Sequence, residues 1–176
     1  MAFSKKTRQE AITKVQNEEM DLLIIGGGIT GAGLTLQAAA TGMKVAVLEM
    51  QDFSEGTSSR STKLVHGGIR YLKNFDVEVV SDTVSERSVV QSIAPHIPKP
   101  DPMLLPIYND EGKTTFDMFS VKIAMDLYDR LAGIDEGSPY ANYTISPEEV
   151  LRREPLIKKK GLQGAGVYLD YRNNDS

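Results

Sequence analysis

Apolar and polar positions divide this chain into short strands and amphipathic helices separated by polar turns. The pattern from Ser4 onward is helical, with Ser4 as N-cap and Ala11, Ile12 and Val15 on one face. Asp21 to Ile25 is a short apolar run and predicts a buried strand. Thr30 to Thr41 predicts a helix rich in small residues (Ala32, Ala38, Ala39, Ala40), ended by Gly42 in a left-handed conformation. Lys44 to Leu48 predicts a second strand, and a right-handed crossover makes the three elements a parallel βαβ unit. The segment QDFSEGTSSRST, residues 51–62, then turns small and polar and reads as a loop. Lys63 to His66 are extended, Gly67 and Gly68 break the chain, and Ile69 to Lys73 form a helical turn.

Asp76 is expected to cap a longer helix with apolar positions Val77, Val80 and Val84 and also Val79, Val90 and Ile93, ending before Pro95. The five prolines of PHIPKPDPMLLP require extended or turning backbone. Within that stretch Met103 to Tyr108 predict a strand, followed by a turn at 109–112. Phe116 to Leu131 predict an amphipathic helix whose stripe is Phe119, Ile123, Leu127 and Leu131, flanked by Met118, Val121 and Met125, with Gly133 as terminator. Ser146, Pro147 and Glu149 supply an N-cap, a first-turn proline and a capping-box acid for a short helix that stops before Pro155. Gly166 to Asp170 predict the last strand.

With 176 residues, 40% hydrophobic and 25% charged, the chain can bury one core of ordinary size. The formal charge is −4 and the basic residues are scattered, so no nucleic-acid surface is expected. Lys158 to Lys160 read as a solvated loop. The absence of cysteine excludes a disulfide scaffold, a Cys-ligated metal and a cysteinyl flavin link, and is compatible with a reducing cytoplasm. No run approaches the ~18 apolar residues of a membrane span. Lys5, Lys6 and Arg8 are not followed by an apolar core, so no signal peptide is expected.

The chemistry concentrates in DLLIIGGGITGAG and KVAVLEM. Gly26, Gly28 and Gly31 form a GxGxxG turn between strand and helix, and Glu49 follows at the end of the next apolar run, 23 residues after Gly26. Gly26 permits a sharp exit from the strand, Gly28 lets the backbone approach a pyrophosphate, and Gly31 allows close helix–strand packing. The helix N-terminus offers free N–H groups and positive dipole to phosphate. Glu49 can accept hydrogen bonds from ribose hydroxyls. Together these features predict an adenine dinucleotide site.

Gly56 to Leu72, GTSSRSTKLVHGGIRYL, makes the reading more specific. Thr57, Ser58, Ser59, Ser61 and Thr62 offer hydroxyl and backbone donors behind the nucleotide turn. His66 is followed by two glycines, so the backbone there can pass close to a planar ring. Arg70 and Tyr71 supply a fixed cation and a phenol for an anionic substrate. On residues alone, His66 is either a structural ring or the base of the site. His96, among prolines, reads as a surface or packing residue.

The run IIGGGITGAG…LEMQDFSEGTSSRSTKLVHGGIRYL resembles the N-terminal part of the FAD-dependent glycerol-3-phosphate dehydrogenase family, and within it the α-glycerophosphate oxidase group. SDTVSERSVVQSIAPHIPKPDPMLLP, MDLYDRLAG and GVYLDYRNND extend the likeness from about Phe3 to Asp175. The resemblance implies an α/β fold with a glutathione-reductase-like, Rossmann-type FAD domain and the beginning of an interleaved substrate domain. It implies non-covalent FAD, with the adenosine ribose on Glu49, the diphosphate over Gly26 to Gly31, and the 57–62 loop reaching the diphosphate and flavin. It places His66 beside the isoalloxazine and gives Arg70 and Tyr71 to a glycerol phosphate pocket. The implied reaction is oxidation of sn-glycerol 3-phosphate to dihydroxyacetone phosphate. Molecular oxygen is the electron acceptor in oxidases, with hydrogen peroxide as product, and a membrane quinone is the acceptor in dehydrogenases.

The expected organisation is a helical extension over 1–18, a first part of the FAD domain over 19–95, the start of substrate-domain segments over 96–160, and a strand returning toward the FAD domain over 161–176. Two parallel strands are few for a complete dinucleotide sheet, and family enzymes are longer. The chain is therefore expected to be a fragment, inactive by itself, of a cytoplasmic enzyme. The alternatives are a quinone-linked dehydrogenase and a dinucleotide-binding module without chemistry. An NAD domain has no need for the hydroxyl loop and HGGIRY.

Overall fold

The computed structural model describes residues 4–109 and 117–173. They fall into two compact units, the first running through Thr62 and the second starting at Lys63. The first unit contains α1 (Lys5–Asn17), β1 (Leu22–Ile25), α2 (Ile29–Ala40) and β2 (Val45–Leu48), followed by turns. Ser4 caps α1 as expected, its Oγ accepting from Thr7 N at 3.2 Å. β1 and β2 are parallel, with Leu22 opposite Val45 and Ile25 opposite Leu48. Asp21 fastens their start, its Oδ2 accepting from Lys44 N at 2.7 Å. Gly42 ends α2 at φ +86°, a conformation that disfavours a side chain. The β1 run is less buried than its composition suggests. Ile24 is buried against α2, while Ile25 is 85% exposed, because alternate strand residues point to opposite faces.

The second unit is an antiparallel sheet with helices on it. Its strands are β3 (Leu64–Val65), β4 (Pro98–Tyr108), β5 (Tyr143–Ile145) and β6 (Leu162–Asn173). β6 pairs with β4 along its length and also pairs with β3 and β5. Its helices are α3 (Val77–Ile93), α4 (Met118–Leu131) and α5 (Pro147–Arg153), with a 3₁₀ helix at Ile69–Asn74. The break between units falls at residue 62, earlier than the expected domain boundary at 95, because β3 pairs with β6 and α3 packs beside α4.

Both long strands exceed their sequence expectation. β4 begins at Pro98 and carries Pro98, Pro100, Pro102 and Pro106 at alternate positions. Its pairing is with β6, and prolines spaced by two keep their missing donors on one strand edge. β6 extends four residues before and three after the expected Gly166–Asp170 run, and Ala165, Val167, Leu169 and Tyr171 are all buried. Gly166 is the close approach between β6 and α4: a Cβ there would lie 2.5 Å from Met125 Sδ.

Three expectations on the helices need correction. The buried face of α4 is Val121, Met125 and Tyr128, while Phe119 is 73% exposed and Ile123 half-exposed. The flanking residues, rather than the stripe at intervals of four, meet the sheet. Asp76 occupies the N-cap of α3 without a side-chain cap bond, because its backbone (φ −77°, ψ 62°) is not the extended form a cap requires. Glu149 binds Arg152 and Arg153 instead of closing the box with Ser146, although Ser146 Oγ does accept from Glu149 N. The predicted 109–112 turn lies largely outside the described residues.

Candidate functional site

In the first unit the glycine turn forms as its spacing predicts. Gly26 leaves β1 at φ +107°, with its N–H donated to Leu48 O at 2.8 Å. Gly31, on α2, faces back onto the turn, and a Cβ there would fall on the Gly26 carbonyl oxygen. The third glycine of the motif is therefore demanded by backbone–backbone approach. Gly28 is the N-cap of α2, and its hypothetical Cβ would lie 3.0 Å from Ser58 Oγ.

Glu49 joins the turn to the end of β2. Its Oε2 accepts from Gly27 N at 2.7 Å and its Oε1 from Gln51 N at 3.1 Å. These bonds, Gly27 first, hold its carboxyl below the usual range. A carboxylate has about four acceptor positions, so capacity remains for ribose hydroxyls. Because the folded value is depressed, the stabilisation of the turn by ionised Glu49 is full above the ordinary glutamate pKa of about 4.3 and disappears as pH falls through the depressed value. A carbon-13 titration of the Glu49 carboxyl is expected to show a midpoint below that of a free glutamate. A midpoint at or above the free value would mean that the Gly27 bond does not form.

The hydroxyl loop is a run of turns over residues 51–60. Ser58 Oγ reaches the glycine turn and accepts from Ile29 N at 2.8 Å, one of the first-turn N–H groups that a helix cannot satisfy internally. Thr57, Ser61 and Thr62 are exposed and Ser59 is half-buried in the same stretch. Phe53, which the sequence reading did not single out, covers Gly27 so closely that a Cβ there would be 2.5 Å from its Cδ1. A cleft of about 540 Å³ is lined by Ile12 and Val15 of α1, by Val47 and Leu48 of β2, and by Glu49 and Phe53. Thus the apolar face of α1 borders the carboxylate of the nucleotide motif.

His66, Arg70 and Tyr71 belong to the second unit. His66 follows β3 and is exposed. Gly68, at φ +72°, turns the chain into the 3₁₀ helix that carries Arg70 and Tyr71. Arg70 stacks on the Tyr71 ring at 5.1 Å and its Nη2 donates to Tyr71 Oη at 3.3 Å. The cation and the phenol therefore lie against each other on the 3₁₀ helix.

Beneath this segment lies a buried polar cluster that sequence reasoning missed. Arg87 Nη1 is 3.0 Å from Asp170 Oδ1, with both side chains 2–3% exposed, and also donates to Tyr128 Oη at 2.9 Å. The guanidinium lies over the Tyr171 ring at 4.6 Å and near the Tyr128 ring at 5.6 Å. Burial raises the Tyr128 phenol above its ordinary pKa, and burial likewise pushes Tyr168 up to about 12. The sequence held a signal: Arg87 continues the Val80–Val84 stripe, and Asp170 interrupts an apolar strand. Asp170→Leu is expected to destabilise the fold by ~3–5 kcal/mol, because it leaves the Arg87 charge buried and unpaired. Urea unfolding of the full-length protein measures this, and Arg87→Met/Asp170→Leu should recover most of the loss. A single variant as stable as wild type would mean that Arg87 does not depend on Asp170.

The sequence model of the family described as "DAO: FAD dependent oxidoreductase" matches residues 21–174. The "Alpha-glycerophosphate oxidase" of Lactococcus lactis subsp. lactis (strain IL1403) is 95% identical over all 176 residues, which correspond to 29% of that protein. The protein of the same name from Streptococcus pyogenes serotype M6 is 68% identical over all 176 residues, 28% of its length. The chain thus spans under a third of these relatives. Among solved structures, the glycerol-3-phosphate dehydrogenase from Bacillus halodurans complexed with FAD has a TM-score of 0.63 at 36% identity, over 99% of this chain and 26% of that one. The L-alpha-glycerophosphate oxidase from Mycoplasma pneumoniae with FAD bound has a TM-score of 0.60 at 15% identity, over 89% of this chain and 39% of that one, a likeness of fold alone.

Proposed function

The chain belongs to the FAD-dependent oxidoreductase family, and from that premise we propose that the protein it comes from oxidises sn-glycerol 3-phosphate to dihydroxyacetone phosphate, with molecular oxygen reduced to hydrogen peroxide. The observation that carries this reading is the 95% identity, over the whole chain, to an α-glycerophosphate oxidase. A cytoplasmic location is part of the reading. Among the described residues, no helix is long and apolar enough to cross a membrane.

The residues of the first unit fit FAD. Gly26, Gly28 and Gly31 leave the start of α2 open to a diphosphate, with Ser58 and its neighbours Thr57, Ser59, Ser61 and Thr62 as the hydroxyl donors for it. Glu49 would take the ribose hydroxyls, and the apolar cleft it lines suits a flat aromatic base. When bound, FAD supplies the acceptor for the hydride of C2 and passes both electrons to oxygen. The protein's part is to bind, orient and move a proton. His66 would remove the C2 hydroxyl proton as the C–H hydride departs, leaving the ketone. Arg70, held by Tyr71, would hold the phosphate of the substrate as a fixed charge.

The test uses the purified full-length protein. Flavin absorbance is expected to bleach anaerobically on addition of glycerol 3-phosphate, then to return in air with one peroxide formed per flavin. Failure of glycerol 3-phosphate to bleach it would overturn the substrate. Recovery on adding a quinone but not in air would replace the oxidase reading with a quinone-linked dehydrogenase.

A further inference from the structure

The peptide that follows His66 is held on every side. Gly67 N donates to Tyr128 Oη at 3.0 Å and to Asp170 Oδ1 at 3.1 Å. Its carbonyl oxygen lies 2.8 Å from Thr83 Oγ1, whose single hydroxyl hydrogen is shared between this oxygen and the Val79 carbonyl at 2.7 Å. There is no room for a side chain, because a Cβ on Gly67 would fall on Tyr128 Oη and Val84 Cγ1. Just before His66, Val65 pairs with Tyr171 on β6. His66 is therefore suspended between a strand pairing and a clamped glycine, with its own ring exposed.

The clamp residues come from three elements. Thr83 and Arg87 lie on α3, Tyr128 on α4 and Asp170 on β6. Arg87 fixes both acceptors of the Gly67 N–H, donating to Tyr128 Oη and to Asp170 Oδ1. Asp170 Oδ1 also receives its neighbour's Tyr171 N at 3.2 Å. An ion pair this deeply buried is weak evidence for stability, since two apolar residues of like volume often serve as well. What it does supply is a fixed direction: the Gly67 amide has one place to go.

We infer that Thr83, Tyr128, Asp170 and Arg87 form a buried clamp on the Gly67 peptide that positions His66 for alcohol oxidation. This rests on the proposed function, in which His66 is the group that acts on the substrate. The four are positioning residues. They act through the backbone of the HGG segment, and a displacement of about 1 Å at a reacting group is enough to cost up to ~10²-fold in rate.

The test uses the full-length holoenzyme with Thr83→Val, Thr83→Ser, Tyr128→Phe, His66→Ala and the double variant Tyr128→Phe/His66→Ala. Each is checked for FAD content and melting temperature, and the limiting rate of anaerobic flavin reduction by glycerol 3-phosphate is measured by stopped flow. Thr83→Val and Tyr128→Phe are expected to retain FAD and to slow reduction roughly ten- to a hundredfold, with little change in the substrate concentration for half-saturation. Thr83→Ser, which keeps the hydroxyl, should restore most of the rate. The double variant should be no slower than His66→Ala, because a clamp acting through His66 has nothing left to position. Wild-type rates in Thr83→Val, or multiplicative losses in the double variant, would overturn the clamp. If His66→Ala alone reduces at the wild-type rate, the role given to His66 fails, and the clamp as a positioning device fails with it. A slow His66→Ala beside fast clamp variants would overturn the clamp alone. Tyr128→Phe sits in the core, so Thr83→Val, at a half-buried site, decides the outcome if Tyr128→Phe does not fold.

Discussion

Gly31→Val in the full-length protein is expected to abolish FAD retention. The new Cβ would fall on the carbonyl oxygen of Gly26 and lie 3.1 Å from its carbonyl carbon, and both are backbone atoms of the nucleotide turn. No side-chain rotation relieves that clash. Either α2 moves away from β1 or the turn opens, and in both cases the helix N-terminus no longer faces a diphosphate. Gly33→Ala is the control, since nothing lies within 4 Å of a Cβ at Gly33, on the same helix. It should keep its flavin. Gly28 is an intermediate case: its Cβ would meet Ser58 Oγ at 3.0 Å, and a hydroxyl can rotate, so only a bulky residue there should displace the cofactor. Flavin absorbance per protein after gel filtration reads all three. Stoichiometric FAD in Gly31→Val would show that the diphosphate is held elsewhere.

His66→Ala should lower turnover of the full-length enzyme by ~10²–10⁴-fold, the range for a lost general base. The ring is exposed, and it follows a strand that anchors it to β6. Arg70→Ala should act differently. A fixed cation that grips the phosphate contributes to ground state and transition state alike, so its loss chiefly raises KM. The Arg70 guanidinium is stacked on Tyr71, so Tyr71→Leu should produce a weaker version of the same effect. Near-normal flavin reduction in His66→Ala would move the base to another residue, and a fall in kcat alone in Arg70→Ala would remove Arg70 from phosphate binding.

The nucleotide turn was legible because its constraints are local. Each glycine answers a clash or a dihedral within a few residues, as Gly31 does against Gly26, and the strand–turn–helix order fixes Glu49 beside Gly27. Caps and terminators were legible for the same reason, as at Ser4, Gly42 and Ser146. Asp76 shows the limit: residue type suggested a cap, but the backbone φ and ψ at that position did not provide one.

What the sequence by itself determined, then, is whatever short-range sterics and periodicity specify: the parallel βαβ unit, the glycine turn, the acid after it, and the glycine break that follows His66. Tertiary structure decided the rest. The periodicity of α4 offered two apolar stripes, and only packing on β6, where Gly166 admits Met125, selected Val121, Met125 and Tyr128 for burial. The prolines of β4 marked it as extended, but a partner strand was needed to make it a strand. Above all, Arg87, Tyr128 and Asp170 are 41 to 83 positions apart in the chain, and no local pattern ties them to Gly67. Their meeting follows from how α3, α4 and β6 pack, because buried donors and acceptors must find partners wherever the fold brings them together.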